Sequence, residues 1–518
     1  MKKISRRQFL AQVAMAGGTL AVYNTAMALD LVGNKDALTT LKLKPTTSKQ
    51  TVAVLGGGIA GLAAAHELGE AGYNVVILEA SHRLGGRNLT LRHGDLIDEL
   101  GRPNYCQFDK APNLYFNAGP ARIPGHHRRL LHYCKKFHVP LAIKANHNRL
   151  AYAYDNVPGA PAMTRQQYYI SDARGFLAEL AWKAVKKNLF DEPLSKEDVE
   201  KLEFFIRGYG DLDTSGQYSG TYRAGATTDR MLSHGDKYEP MALQQLVNSE
   251  YWKGSMNSPE NFDWLSPLME PKGGMDQVVE GFKRNLKAKV KLKAQVQAIN
   301  LRDDGVEIAY QYKGKVETLK ADYCFNNIPA PFLPGIPNNF SEGYRDVIAS
   351  FERDSLFKIG FQMKKRFWEE EGIYGGITYT SDRINQIWYP GHDINADKGV
   401  LLGAYIWNPE DIEHFANLSL EDRLKEAAAQ GEAIHKGYSG YIENGVSIAW
   451  HRMNNMMGCG NRISESHFER NFPLAQKPEG NRHFLIGDQV SYHPGWQEGA
   501  LASAETALLQ FNQLVSAA

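Results

Sequence analysis

Residues 51–87, TVAVLGGGIAGLAAAHELGEAGYNVVILEASHRLGGR, constrain the fold more than any other stretch of this chain. Residues 51–55 lean apolar without alternation, as a strand covered on both faces does. Gly56, Gly58 and Gly61 come next in G-x-G-x-x-G spacing and open a helix on which Ala60, Ala64 and Leu68 share a face. A second buried strand, residues 75–78, ends on Glu79. Each residue type has a task. Gly56 permits the tight turn, Gly58 lets a pyrophosphate approach the backbone, and Gly61 allows close helix–strand packing. Ile59 and Ala60 begin the helix, whose unpaired N–H groups and positive dipole end suit phosphate. Glu79 arrives where an acid accepts ribose hydroxyls. A glycine-rich turn alone is weak evidence; strand, helix, second strand and terminal acid in register predict a dinucleotide site.

The residues after Glu79 narrow the nucleotide. Ala80 leads into Arg83, Gly85, Gly86 and Arg87, a run that resembles the double-glycine signature of the flavin amine oxidases. The resemblance implies FAD, with a second turn (Gly86) and the arginines Arg83 and Arg87 near the flavin diphosphate.

A chain of 518 residues suggests two or three domains. Its 43% hydrophobic and 23% charged residues are those of a soluble globular protein, and no apolar run is long enough to span a bilayer, so no membrane anchor is expected. Without the first 28 residues, which hold four basic and no acidic side chains, the net charge falls from +1 to −3. No basic patch or binding signature points to nucleic acid. Cys106, Cys134, Cys324 and Cys459 lack C-x-x-C spacing, so neither a zinc knuckle nor a disulfide framework is indicated.

The N-terminus has a basic start, an apolar stretch from Leu10 and an Ala26-Met27-Ala28 end, the pattern of a cleavable signal peptide. Ser5-Arg6-Arg7-Gln8-Phe9-Leu10 resembles a twin-arginine export signal, with Ala11 where that pattern often has Lys. A periplasmic or secreted protein, loaded with FAD before export, is expected. Residues 29–49 read as a linker. FAD-binding segments are expected at 50–125, 268–330 and 446–518, a mostly helical subdomain with part of the substrate domain at 126–267, and a substrate-binding domain at 331–445. Helices are expected at 126–137, 176–189, 199–205 (after a Ser195-x-x-Asp198 start), 277–285, 420–435 and 498–514. Strands are expected at 290–299, 306–312, 323–326, 357–363, 384–389 and 400–407. The fold class is α/β: a Rossmann-like FAD-binding domain of the amine oxidase type, a mixed-sheet substrate domain and a helical insert.

Four further segments carry the resemblance across the chain. FLIGDQVSYHPGWQEGALASAETAL looks like the C-terminal FAD segment of flavin amine oxidases. GPARIP, SLFKIGFQMKKRFWEEEGIYGG and KGVLLGAYIW are similar to segments of L-amino acid oxidases of the animal-venom type and their bacterial relatives. The resemblance implies that Arg122 clamps the substrate carboxylate with help from the Tyr405 hydroxyl. Lys358 would hold a water beside the flavin and assist reaction with dioxygen. Trp450 and Trp496 would lie against the flavin, and Trp388 would wall the substrate pocket where the venom-type pattern has Tyr. The Gly495 carbonyl would accept from the substrate amine, and Gly487 and Asp488 would meet the ribityl–phosphate region. Ala121, Arg122, Val296, Gln497 and Ala500 are also expected at the cofactor.

The residues themselves leave alternatives open. Period two puts Lys358 opposite Phe357, Ile359 and Phe361, where a strand lysine usually faces solvent. Period two also puts Tyr405 on one face with Leu401, Gly403 and Trp407, where it could simply be core. His126 and His127 invite a metal reading, but adjacent histidines on a helix diverge, so they are expected to be surface or helix-start residues and no metal is expected. Cys459 lies nine residues after Trp450, a spacing similar to that of the monoamine oxidases, whose Cys bonds the flavin; Gly460 stands where an aromatic usually comes next, and noncovalent FAD is expected. The activity implied is oxidative deamination of L-amino acids by FAD and dioxygen, giving peroxide and through it an antimicrobial action. An amine oxidase or an amide-forming amino-acid monooxygenase is the alternative. A homodimer is among the assemblies open to the chain.

Overall fold

The computed structural model describes residues 41, 43–46, 49–191, 193–228, 231–232, 235–463 and 471–517. The expected export segment, residues 1–28, and most of the linker lie outside the described residues.

Five parallel strands from separated parts of the chain make the first sheet, in the order Ala288–Leu292, Asn74–Glu79, Thr51–Leu55, Tyr323–Asn326, His483–Leu485. The Thr51–Leu55 strand is central and the helix Ile59–Glu70 packs on it. Gly61 has no room for a side chain: a Cβ there would lie 2.1 Å from the Gly56 carbonyl oxygen. Gly56 turns at φ +93°, a conformation open to glycine. Asn74–Glu79 pairs with one edge of Thr51–Leu55 and Tyr323–Asn326 with the other. Their carboxyl ends flank the crevice where open α/β sheets bind ligands. The C-terminal helix Gln497–Ala517 packs beside Ile59–Glu70 and carries Ala500, Leu501, Ala504, Leu508 and Phe511 into the same core.

The expected strand over 290–299 is two strands, Ala288–Leu292 and Gln295–Arg302, parted by a turn in which Lys293 adopts φ +56°. The second of these forms an antiparallel meander with Gly305–Tyr312 and Lys315–Ala321. Lys315–Ala321 is mostly solvent-facing and polar, which hides it from an apolar pattern.

A seven-stranded mixed sheet runs Met163–Arg165, Tyr152–Tyr154, Gly376–Thr380, Gln386–Tyr389, Gly399–Ile406, Phe357–Met363, Ile442–Ala449. One face, with Phe357, Ile359, Phe361, Leu401, Ala404 and Ile406, packs in a core with the helices Pro409–Asn417 and Leu420–Ile434. The other presents Val400, Leu402 and Tyr405. Tyr405 therefore does not share a face with Leu401. The strand pairs Ile359 with Ala404 and Gly360 with Leu402, so Gly403 is an extra residue that shifts the alternation.

The helices Gln166–Lys186 and Lys196–Gly210 pack on each other through Ala178, Trp182 and Ile206. The Ser195 hydroxyl caps the second by accepting from the Asp198 N–H. Toward the first sheet, the expected helix 126–137 is shorter, Arg128–Lys136. His127 stands at its N-cap with φ −76°, ψ 72°, outside helical geometry. Among the described residues, no helix is long and apolar enough to cross a membrane.

Candidate functional site

A cavity of about 770 Å³ runs from the carboxyl ends of the parallel sheet to the Tyr405 face of the seven-stranded sheet. Its nucleotide end is lined by Gly56, Gly58, Ile59, Ala60, Glu79, Ala80, Gly86, Arg87 and Val296. Glu79 is buried and both its oxygens are used: Gly57 N–H donates to Oε2 at 2.6 Å and Ser81 N–H to Oε1 at 2.7 Å. Burial pushes the Glu79 carboxyl up, and the two backbone donors oppose that rise. Gly86 turns at φ +55°, and a Cβ there would approach Gly58 Cα to 3.3 Å, so the two glycine turns touch.

Asp488 comes directly after Gly487, beyond the end of the strand His483–Leu485, and is buried. Arg87 meets it in a two-pronged pair, with Nη1 donating to Oδ2 at 2.9 Å and Nη2 to Oδ1. Gly495 N–H also donates to Asp488 Oδ2, at 2.8 Å. Burial pushes the Asp488 carboxyl up, and Arg87, with Arg353, more than offsets this and holds it below its ordinary range. Arg87 Nη1 also donates to the Cys459 carbonyl. Gln497, bonded by Asn88 at 2.6 Å, and Ala500 line the cavity from the C-terminal helix. Trp450 is buried and its indole N–H donates to the Ala118 carbonyl at 3.0 Å.

The other end gathers Lys358, Arg122, Tyr405, Trp388, Gly495 and Trp496, with Ala121 also on the cavity wall. Lys358 does not face solvent. It is 2% exposed, donates to the Gly119 carbonyl at 2.6 Å, and is held down to about 7 by burial, with Arg122 pushing the same way. The Arg122 guanidinium lies among indole rings, 3.8 Å from the centre of Trp264, 4.9 Å from Trp388 and 5.6 Å from Trp496. Its hydrogen bond to Asn146 Oδ1 is long, 3.4 Å, and its buried Nε has no hydrogen-bond partner among the described residues. The Trp388 ring stands edge-on to Tyr405 at 5.1 Å.

Gly61 and Arg83 do not line this cavity. Gly61 serves the packing of helix on strand. Arg83 donates to the carbonyls of Leu84, Gly86 and Asn88, bracing the second glycine turn from behind. Sequence reasoning missed Trp264, which reaches Arg122 from a distant segment without a motif. It also missed Arg353, a cavity-lining guanidinium that burial lowers to about 9 and whose buried Nε and Nη1 have no hydrogen-bond partner among the described residues. A third missed group corrects an expectation. His126 and His127 do not diverge: both aim Nε2 at Asp263 Oδ1, at 2.8 and 3.3 Å, because His127 lies outside the helix and its ring turns back.

The nucleotide end fits FAD on this chain's own features. Two glycine turns leave the backbone bare beside Glu79, the helix Ile59–Glu70 points its N-terminus into the cavity, and Arg353 carries orphaned donors suited to a diphosphate.

The chain is 27% identical over 490 residues to the flavin-dependent L-tryptophan oxidase RebO of Lentzea aerocolonigenes, covering 88% of this chain and 97% of that one. It is 26% identical over 501 residues to the L-amino-acid oxidase of Demansia vestigiata, covering 91% and 88%. Among solved structures, putrescine oxidase bound to putrescine superposes with a TM-score of 0.60 at 16% identity, over 90% of this chain and 99% of that one, a likeness of fold. The family model of flavin-containing amine oxidoreductases matches residues 59–507, so a cavity built from two glycine turns, an Arg87–Asp488 pair and a buried Lys358 belongs to a member of that family.

Proposed function

We propose that this oxidoreductase is an L-amino acid oxidase that turns an L-amino acid, water and dioxygen into a 2-oxo acid, ammonia and hydrogen peroxide. The observation that carries the reading is Arg122, a buried guanidinium in the cavity wall with no carboxylate partner among the described residues. An unpaired buried cation is costly, and a substrate carboxylate relieves that cost with two parallel hydrogen bonds. The names of the relatives support the same choice.

Roles for the chain's own residues can then be assigned. Gly56, Gly58, Glu79, Arg87 and Asp488 would hold FAD, without a covalent link. When bound, FAD supplies a hydride acceptor for the substrate α-hydrogen and passes the electrons on to dioxygen. Arg122 and the Tyr405 hydroxyl fix the substrate carboxylate, and the Gly495 carbonyl orients a neutral amine. Trp388, Trp496 and Trp264 exclude water from the pair. Lys358, poised near neutrality, offers a positive charge or a proton where dioxygen is reduced. Orientation and dehydration are the protein's share of the catalysis. Residues 1–28 direct the enzyme out of the cytoplasm by the twin-arginine route, and peroxide made there acts on competing cells. Growth inhibition that survives catalase sinks the latter point, and cytoplasmic retention of both wild type and an Arg6→Lys, Arg7→Lys variant sinks the former.

Peroxide release measured across the twenty L-amino acids, putrescine and benzylamine tests the reading. Turnover of amino acids with equimolar 2-oxo acid and ammonia is expected. Preference for the amines assigns an amine oxidase instead, and an amide with carbon dioxide assigns a monooxygenase.

A further inference from the structure

Three segments distant in sequence converge on one carboxylate oxygen beside the cavity. Asp263 Oδ1 lies 2.8 Å from His126 Nε2, 3.3 Å from His127 Nε2 and 3.3 Å from His493 Nε2. The imidazole rings are packed edge-on, with centroids 4.8 Å apart for His126 and His127 and 5.4 Å for His127 and His493. The donor atoms of His126, His127 and Asp263 all lie within 4.8 Å of one another.

Hydrogen bonding alone explains this poorly. An ionised carboxylate spreads about four lone-pair sites over two oxygens, yet all three imidazoles aim at Oδ1. In a tetrahedral site with bonds of about 2.0–2.1 Å, neighbouring donor atoms sit roughly 3.3 Å apart. Of the two histidines in the mutually close group, His127 stands at that distance from Oδ1 and His126 is nearer. Imidazole nitrogens with one carboxylate make a borderline donor set that suits zinc and its neighbours, whereas calcium and magnesium take all-oxygen shells. Access is open on one side: the His126 side chain is 30% exposed while that of His127 is 1% exposed.

We propose that His126, His127 and Asp263 bind a divalent cation of the zinc class, with His493 holding the Asp263 carboxylate from outside the shell. The site adjoins the cavity, whose wall includes His127, and does not depend on which amine or amino acid is oxidised. Its effect is on the walls of the cavity. Asp263 precedes Trp264, which stacks on Arg122, and the His493 ring stacks on Trp496, which also faces Arg122. A bound cation ties the loops bearing both tryptophans to the start of the Arg128–Lys136 helix.

The test uses purified holoenzyme, freed of metal by a chelator and dialysed, then titrated with zinc chloride by calorimetry while tryptophan emission is followed. Expected is one zinc per chain with a change in emission. His126→Gln and His493→Gln should each weaken binding by about tenfold or more, and Asp263→Asn should abolish both signals. His126→Gln alters a part-exposed side chain, so an unchanged flavin absorption spectrum identifies it as folded. Absence of zinc binding to the wild type overturns the proposal, as does zinc affinity unchanged in His126→Gln and His493→Gln.

Discussion

Lys358 and Tyr405 face each other across the antiparallel pair of Phe357–Met363 and Gly399–Ile406, with the ammonium 4.6 Å from the centre of the tyrosine ring. The cross-strand register therefore places the Lys358 ammonium and the Tyr405 phenol on one wall of the cavity. The ring face also stabilises the cation once it forms.

Lys358 is held down to about 7 from 10.5, so the side chain is charged below neutrality and neutral above it. Between those values the unfolded chain binds a proton that the folded chain does not, so this site's share of stability rises with pH across that window. Lys358→Met is expected to keep FAD bound and to slow reoxidation by dioxygen about a hundredfold. Any inflection near pH 7 in the wild-type reoxidation rate should vanish with it. Stopped-flow traces identical to wild type remove Lys358 from the oxidative half-reaction.

Arg122→Met is expected to lower kcat/KM for L-amino acids about a thousandfold, from the roughly 2–5 kcal/mol by which truncating a buried, hydrogen-bonded charge pair weakens binding. Arg122→Lys should recover little, since an ammonium cannot supply the planar fork or stack on Trp264 at the same distance. Steady-state kinetics on amino acids and on amines separates the readings. An unchanged kcat/KM for amino acids in Arg122→Met means that the carboxylate binds elsewhere.

Glu79→Ala strands the Gly57 and Ser81 N–H groups in a buried turn. Each unsatisfied donor costs about 1–3 kcal/mol. The variant is expected to lose FAD on gel filtration and to melt several degrees lower, by roughly the size scaling of such losses. Retention of stoichiometric flavin counts against Glu79 as a determinant of the nucleotide turn.

Backbone crowding and capping leave their mark on sequence, and those parts of the fold were legible in it. Gly61 is legible because the Gly56 carbonyl leaves no space for a Cβ, and Ser195 because a cap needs a hydroxyl before an acidic first turn. The face bearing Tyr405 was not legible, since one inserted residue, Gly403, reverses a period-two pattern and nothing local marks it. Trp264, Arg353 and the His126–His127–Asp263 group escaped for another reason. Trp264 and the histidines gain their meaning from partners far along the chain and Arg353 from its place at the cavity beside Asp488, and a buried arginine or histidine reads in sequence like a surface one.

Away from the cavity, Arg423 and Glu99 are both fully buried and paired twice, at 2.9 and 2.7 Å. Arg423 also donates to the Phe415 and Ala416 carbonyls and to Ser447 Oγ, so the pair anchors the helix Leu420–Ile434 to the segment around residue 99. Glu99→Ala leaves a buried guanidinium without its counter-charge and should cost about 3–5 kcal/mol. Urea unfolding that shows less than about 1 kcal/mol, the level of an exposed pair, contradicts this.

Whether FAD is held by a covalent bond turns on Cys459. This residue lines the cavity, and its backbone is fixed there by the bond from Arg87 to its carbonyl. Its place thus permits attachment, and its chemistry opposes it. Burial pushes the thiol up to about 11, with Arg87 opposing that rise without reversing it. A thiol so raised is almost wholly protonated at neutral pH, and the thiolate is the nucleophile. The sulfur also lies 3.9 Å from the Ser355 carbonyl, to which a protonated thiol donates weakly. FAD is therefore expected to stay noncovalent, and Cys459→Ala should leave its content unchanged. Acid precipitation checks both: the washed wild-type pellet should be colourless with all flavin in the supernatant, whereas a yellow pellet that turns colourless in Cys459→Ala makes this cysteine the attachment site.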